Sequence, residues 1–211
     1  MKKLLMMATA AGFLFVAQPA KAEVETYEFD KPHTSILFFA DHLGFSKSQG
    51  EFHDYDGHFT FDRENPANSA VEVTIQTASI DMDMEKWDDH LKNADFFNVE
   101  EFPTMTFKSS AIEVTGEKTG KITGDLTLLG VTKPVTLDVV SHKAGEFPMG
   151  DMYKAGFTAT AMIDRSEWGM NYGLPAMDKM VEIRIEVEGN RVDPNAAEAP
   201  AEEAAAEDAA E

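Results

Sequence analysis

The chain has 211 residues, no cysteine and a formal net charge of −20. The lack of cysteine excludes disulfides, thiolate catalysis and cysteine-based metal sites. The negative charge argues against a nucleic acid partner, because binding to nucleic acids is driven by Lys and Arg. For the same reason we do not expect the surface to adhere to anionic lipid headgroups.

The first 22 residues have the pattern of a secretory signal peptide. Two lysines precede an apolar run over residues 4–17, and Ala20 and Ala22 are the small residues of a cleavage site. The run is shorter than the roughly 20 apolar residues that cross a bilayer, so a membrane anchor is disfavoured. We therefore predict export, with cleavage after Ala22.

Alternation of apolar and polar residues predicts β-strands through most of residues 23–190. The clearest case is residues 181–187, where Val and Ile alternate with Glu and Arg. Similar patterns occur at residues 71–76, 125–139 and 157–163, with less regular strands between them. Many short antiparallel strands in one domain predict either a barrel or a sandwich, and the alternation does not separate the two.

Residues 84–94 break this alternation. Trp87, Leu91 and Ala94 have the spacing of one helical face, and Asp83 is predicted to cap the helix at its N-terminus. A helix this short is marginal unless it is docked. We therefore expect it to flank one end of the β-structure, with Phe96 and Phe97 following it inward.

The C-terminal segment, residues 191–211, differs in kind from the rest. From Asp193 onward it contains almost only Ala, Glu, Asp and Pro. Such a segment has little apolar surface to offset the entropy of ordering. We predict a disordered acidic tail.

Two clusters of polar residues were considered as reactive sites. On a strand, Asp54, Asp56 and His58 would share one face, and two carboxylates with an imidazole suit a metal ion. Acidic residues on a strand more often form the solvated face of an acidic protein, so we predict no metal site. His90 lies on the helical face without a Gly-x-Ser-x-Gly nucleophile elbow in the chain, so we predict no catalytic residue.

Four motifs follow one another in a fixed order along residues 23–190. They are His90-Leu91 with Asp95-Phe96-Phe97, then Pro103-Thr104-x-Thr106-Phe107, then the run from Gly124 to Val135, and finally the run from Arg165 to Met170. Together they resemble the YceI family of bacterial periplasmic proteins. The match covers nearly the whole domain in order, and the acidic tail lies outside it.

The resemblance implies an all-β fold, namely a single antiparallel, eight-stranded, lipocalin-like barrel with a short flanking α-helix. It also implies a non-enzymatic periplasmic protein that transports or stores a long polyisoprenoid lipid, such as an isoprenoid quinone or its precursor, and needs no other cofactor. Each buried methylene contributes about 0.8 kcal/mol, so such a chain can bind without hydrogen bonds. A lipid carrier further implies transient contact with a membrane.

The resemblance also decides how the apolar interior is interpreted. A barrel of about eight strands is either filled by its side chains or holds one small ligand, and the fifteen Phe residues alone are explained by ordinary core packing. The alternative function is therefore a solid barrel that acts through its surface in stress response or protein interaction. If a tunnel is present, its expected lining is Ile36, Phe38, Phe45, Phe59, Val73, Ile75, Phe96, Phe97, Phe107, Leu126, Leu128, Phe157 and Met170.

The segment Ile36-Leu37-Phe38-Phe39 is apolar on both alternating faces. One face is expected to see the interior, and the other must be covered from outside. Either the helix or a second subunit could cover it, and on this basis we predict a homodimer.

Overall fold

The structure, a computed structural model, describes residues 24–193. The predicted signal peptide and residues 194–211 of the predicted tail lie outside this range. The elements in chain order are β1 (Glu25–Phe29), β2 (Ser35–His42), β3 (Ser46–Phe52), β4 (Tyr55–Phe61), β5 (Ala70–Gln76), β6 (Ile80–Asp81), α1 (Glu85–Lys92), β7 (Thr104–Val114), β8 (Thr119–Leu128), β9 (Val131–Glu146), β10 (Tyr153–Asp164) and β11 (Met180–Arg191). The last strand continues one residue beyond the predicted end of the domain.

The strands pair antiparallel and the sheet closes on itself, because β11 pairs with β1 as well as with β10. Three strands are interrupted: β1 continues as β2, β3 as β4, and β5 as β6. In each interrupted strand, both parts pair with the corresponding parts of the neighbouring strands. Counted in this way, eight strands follow one another around the barrel in chain order. The predicted eight-stranded barrel is confirmed, and the sandwich is excluded.

The connections between strands lie at two ends of the barrel. The helix end carries residues 43–45, 82–103, 129–130 and 165–179, and α1 belongs to the second of these segments. The far end carries the first and last residues of the barrel together with residues 62–69, 115–118 and 147–152.

The flanking helix is present, but it differs from the prediction in its limits and in its N-cap residue. Asp83 has a positive φ of 58° and lies outside the helix, and Met84 occupies the N-cap position. The Asp88 carboxylate accepts a hydrogen bond from the Met82 amide at 2.8 Å, which ties the start of the helix to β6. None of the helix residues is fully buried. Leu91 on the predicted face packs against the core, and in the segment that follows Phe96 and Phe97 are buried as predicted.

Two observations bear on the outside of the barrel. Leu37 and Phe39 lie on the face of β2 opposite Ile36 and Phe38, and both are half-buried. Helix α1 packs beside β6 rather than over these residues, so the homodimer stays a prediction. Within residues 24–193, no helix has the length and apolar character needed to cross a membrane.

Candidate functional site

The interior of the barrel is hollow. It encloses a cavity of about 640 Å³ whose walls are largely apolar, and residues from both ends of the barrel contribute to its lining. This volume lies within the range of roughly 300–1,000 Å³ that is typical of small-molecule sites. The solid-barrel alternative requires an interior filled by side chains, and the structure does not have one.

Strand alternation and the family resemblance predict thirteen residues as the lining of a tunnel. Twelve of the thirteen lie around the cavity, and their role as ligand contacts stays a prediction. The twelve are Ile36, Phe38, Phe59, Val73, Ile75, Phe96, Phe97, Phe107, Leu126, Leu128, Phe157 and Met170.

The thirteenth, Phe45, does not lie at the cavity, and its assignment is wrong. It sits in the turn between β2 and β3 and is 87% exposed. Leu43 and Gly44 have positive φ angles of 56° and 78°, so the chain reverses there. Alternation along β2 therefore says nothing about the direction of the side chain at Phe45.

The cavity stays open because several inward-facing rings lie against positions that have no side chain. A Cβ atom on Gly124 would lie 2.5 Å from Cζ of Phe107, and one on Gly50 would lie 2.2 Å from Cζ of Phe38. Both distances are shorter than any real carbon contact, so each ring uses the space that a side chain would fill. The two rings can thus lie along the barrel wall and leave the centre free.

At the helix end, two connections meet over the mouth of the cavity. The imidazole of His90 on α1 packs edge-on against the rings of Phe96 and Tyr172, with centroids 5.1 and 5.0 Å away. Phe96 and Tyr172 are 5.1 Å apart. These three rings join the segment containing α1 to the connection between β10 and β11. Tyr172 was not among the predicted residues, since it lies in a connection without strand or helix periodicity.

Arg165 shapes the same connection from inside. Its side chain is buried, and it donates hydrogen bonds to the carbonyl oxygens of Met170 and Tyr172, both at 2.9 Å, and of Asp178 at 3.2 Å. Burial lowers the pKa of the guanidinium, and the neighbouring carboxylates of Asp164 and Asp178 oppose that shift. The three bonds fold residues 165–178 into a compact cover on the mouth.

The residues considered for a metal site are not brought together. Asp56 lies on the outside of β4 and forms an ion pair with Lys31 at 2.7 Å. In the part of the chain that the structure describes, one group of three potential ligands is close enough to share an ion, namely Asp30, His33 and Glu188.

The ammonium group of Lys154 already lies within this group. It forms an ion pair with Asp30 and a second one with Glu188 at 3.1 Å. Burial raises the pKa of Asp30, but its hydrogen bonds to Lys154 and His33 outweigh this effect and hold that pKa below its usual value. The lysine thus supplies the positive charge that these carboxylates need.

Comparison with known proteins agrees with this architecture. A family model described as a YceI-like domain matches residues 27–189. Protein YceI of Escherichia coli O157:H7 is 41% identical over 191 residues, which cover 90% of this chain and 98% of that protein. The crystal structure of the Campylobacter jejuni YceI protein has 31% identity and a TM-score of 0.63, over 72% of this chain and 90% of the other.

A more distant structure shares the fold alone. It is a polyisoprenoid binding domain from Saccharophagus degradans implicated in plant cell wall breakdown. Its sequence is 10% identical to this one, and the TM-score is 0.62 over 81% of this chain and 100% of that domain.

Proposed function

This chain belongs to the YceI family, and from that premise we propose that it is a non-enzymatic protein that holds a long polyisoprenoid lipid, an isoprenoid quinone or its precursor, in order to transport or store it. The observation that carries the proposal is the apolar cavity of about 640 Å³ inside the barrel. A chain of isoprene units suits such walls, because its affinity comes from buried area at about 0.8 kcal/mol per methylene rather than from directional contacts. The polyisoprenoid binding domain of Saccharophagus degradans supports this class of ligand, since it has the same fold.

The direct test is to identify what the protein carries. The full chain should be expressed in a bacterium that makes quinones, purified without detergent and extracted with organic solvent. Mass and ultraviolet spectra of the extract are expected to show one isoprenoid per barrel. Repeated extracts free of lipid, together with no uptake of added isoprenoid, would overturn the proposal.

We further propose that the mature protein works in the periplasm after cleavage behind Ala22. A lipid of this kind cannot cross an aqueous compartment unprotected, because its apolar surface must stay out of water. The intact mass of protein from a periplasmic extract should correspond to a chain that begins at Glu23. A mass that retains residues 1–22 would contradict this location.

Transfer of such a lipid requires contact with a bilayer, and the helix end is suited to it. Large apolar side chains are exposed around the mouth at this end. They are Leu43, Phe45, Met84, Trp87 and Tyr172, with exposed fractions of 51%, 87%, 50%, 42% and 45%. Because the chain carries a net charge of −20, we propose that these residues touch zwitterionic rather than anionic membranes.

The double variant Phe45→Ser/Met84→Ser tests this contact, because neither residue lines the cavity. It is expected to slow transfer of a fluorescent isoprenoid from phosphatidylcholine vesicles by about tenfold, since less apolar area enters the bilayer, while equilibrium affinity stays unchanged. Met149→Ser is a matched control, because Met149 is 82% exposed at the far end. Equal transfer rates for all three proteins would show that the helix end does not contact the membrane.

The homodimer is a separate proposal. Leu37 and Phe39 present half-buried apolar side chains on the outside of β2, and a second copy would cover them. Light scattering at micromolar concentration should give twice the chain mass, and Phe39→Lys should reduce it to the mass of one chain. A monomer for the unmodified protein would contradict the proposal.

A further inference from the structure

The far end of the cavity is narrowed by three phenylalanine rings that belong to strands that are not neighbours. Phe59 and Phe61 lie on β4 and Phe157 lies on β10, and β1 and β11 separate these strands around the barrel. The ring of Phe157 packs edge-on against Phe59 at 5.5 Å and against Phe61 at 5.3 Å between centroids. The contacts therefore bridge over β1 and β11 on the inside of the barrel. We call these three residues the aromatic restriction.

The aromatic restriction has a rigid support. The Phe59 ring stacks on Tyr27 with centroids 5.0 Å apart and an angle of 5° between the planes, and Tyr27 is fully buried. On the other side, Phe59 lies against Gly189 of β11, where a Cβ atom would be 2.5 Å from the ring. Both supports are strand residues, so the Phe59 ring is held by the barrel wall itself.

The polar groups behind the aromatic restriction are satisfied by one another. Glu25 accepts hydrogen bonds from Arg63 at 3.1 Å and from Arg191 at 2.6 Å. Both guanidinium groups also lie over the ring of Tyr153, at 4.9 and 4.4 Å from its centroid. A ligand that reaches this side of the far end therefore meets aromatic rings, and the charged groups behind them are already hydrogen-bonded to one another.

The cavity is wider immediately toward the helix end. The next inward positions on β10 after Phe157 are Ala159 and Ala161, and both line the cavity. Successive inward residues on a strand are separated by about 6.6 Å. The lining of β10 thus changes from alanine at position 159 to phenylalanine at position 157 over one such step. This change in side-chain size fixes the position of the aromatic restriction along the barrel.

We propose that the aromatic restriction sets the length of the isoprenoid chain that the barrel accepts, with the chain tip at the far end and the head group at the helix end. This inference rests on the proposed function, because it defines which polyisoprenoids fit. A chain that ends at the aromatic restriction buries all of its methylenes, whereas a longer chain leaves its remainder in water at the mouth.

Two substitutions on β10 move the limit in opposite directions. Phe157→Ala removes one ring and should favour longer chains, and Ala159→Phe places a ring one step closer to the mouth and should favour shorter ones. Affinities would be measured for farnesol, geranylgeraniol and solanesol with the delipidated full chain. We expect the ratio of the affinities for long and short prenols to rise about tenfold in Phe157→Ala and to fall about tenfold in Ala159→Phe. A change of roughly two buried methylenes corresponds to this factor.

Controls separate this inference from the proposed function. Met162→Ala removes an exposed side chain from the same strand, β10, at a position that does not line the cavity, and should leave the length preference unchanged. Phe157→Leu is the milder variant to be used if Phe157→Ala does not fold, as judged by circular dichroism. If the unmodified protein binds no prenol of any length, the proposed function fails. If it binds them and neither β10 variant changes the preference, the aromatic restriction does not set the length.

Discussion

Replacement of Phe107 by aspartate is expected to weaken lipid binding about a hundredfold in a barrel that still folds. Phe107 is 8% exposed, and its ring lies along the wall over Gly124 between β5 and β8. A carboxylate at this position would either lie unpaired against hydrocarbon or draw water into the cavity. The cost to binding is on the order of 3 kcal/mol, which corresponds to about a hundredfold loss of affinity.

Two controls isolate the effect of the charge. Phe107→Leu keeps an apolar side chain and should bind isoprenoid within a few-fold of the unmodified protein. Lys108→Ser changes the next residue on the same strand, whose side chain points outward to an ion pair with Glu72. Isoprenoid that still co-purifies with a folded Phe107→Asp variant would show that Phe107 does not line the binding site.

Replacement of Arg165 by methionine is expected to have the largest effect on stability among single changes at the helix end. It would leave three carbonyl oxygens, of Met170, Tyr172 and Asp178, without the donor that each now has. Loss of charge-assisted hydrogen bonds to buried groups costs about 3 kcal/mol. For a domain of this size the melting temperature should fall by about 6–12 °C.

Thermal unfolding followed by circular dichroism measures this loss. Arg165→Lys should recover only part of it, because an ammonium group cannot address three carbonyls with the planar geometry of a guanidinium. Arg184→Met is the matched control, since Arg184 is half-exposed and pairs with Glu186 on the same strand. Equal melting temperatures for the Arg165 and Arg184 variants would contradict a structural role for the Arg165 bonds.

The barrel wall was accessible to sequence reasoning because a strand has a strict two-residue period. Residues such as Val73, Ile75, Leu126 and Leu128 alternate with polar residues, and the structure places all four at the cavity. Closure into a barrel was not contained in that pattern, since a sandwich shows the same alternation. It followed from the resemblance of ordered motifs to a known family.

The parts that were missed or misplaced lack this period. Phe45 was misplaced because a turn with positive φ angles interrupts the alternation, and Tyr172 and Arg165 act from a connection between strands. The interior glycines did leave a signal. Gly50 and Gly124 each occupy an inward position two residues from a large apolar side chain, which indicates a site where another ring approaches the backbone.

The strand pairing that closes the barrel joins residues from opposite ends of the described chain. Tyr27 of β1 lies directly across from Arg191 of β11. A chain whose final strand has not yet paired therefore has an open slot along one side of the barrel. Pairings this distant in sequence form late and slowly. A ligand held inside the barrel would therefore be fully enclosed only after β11 has paired with β1.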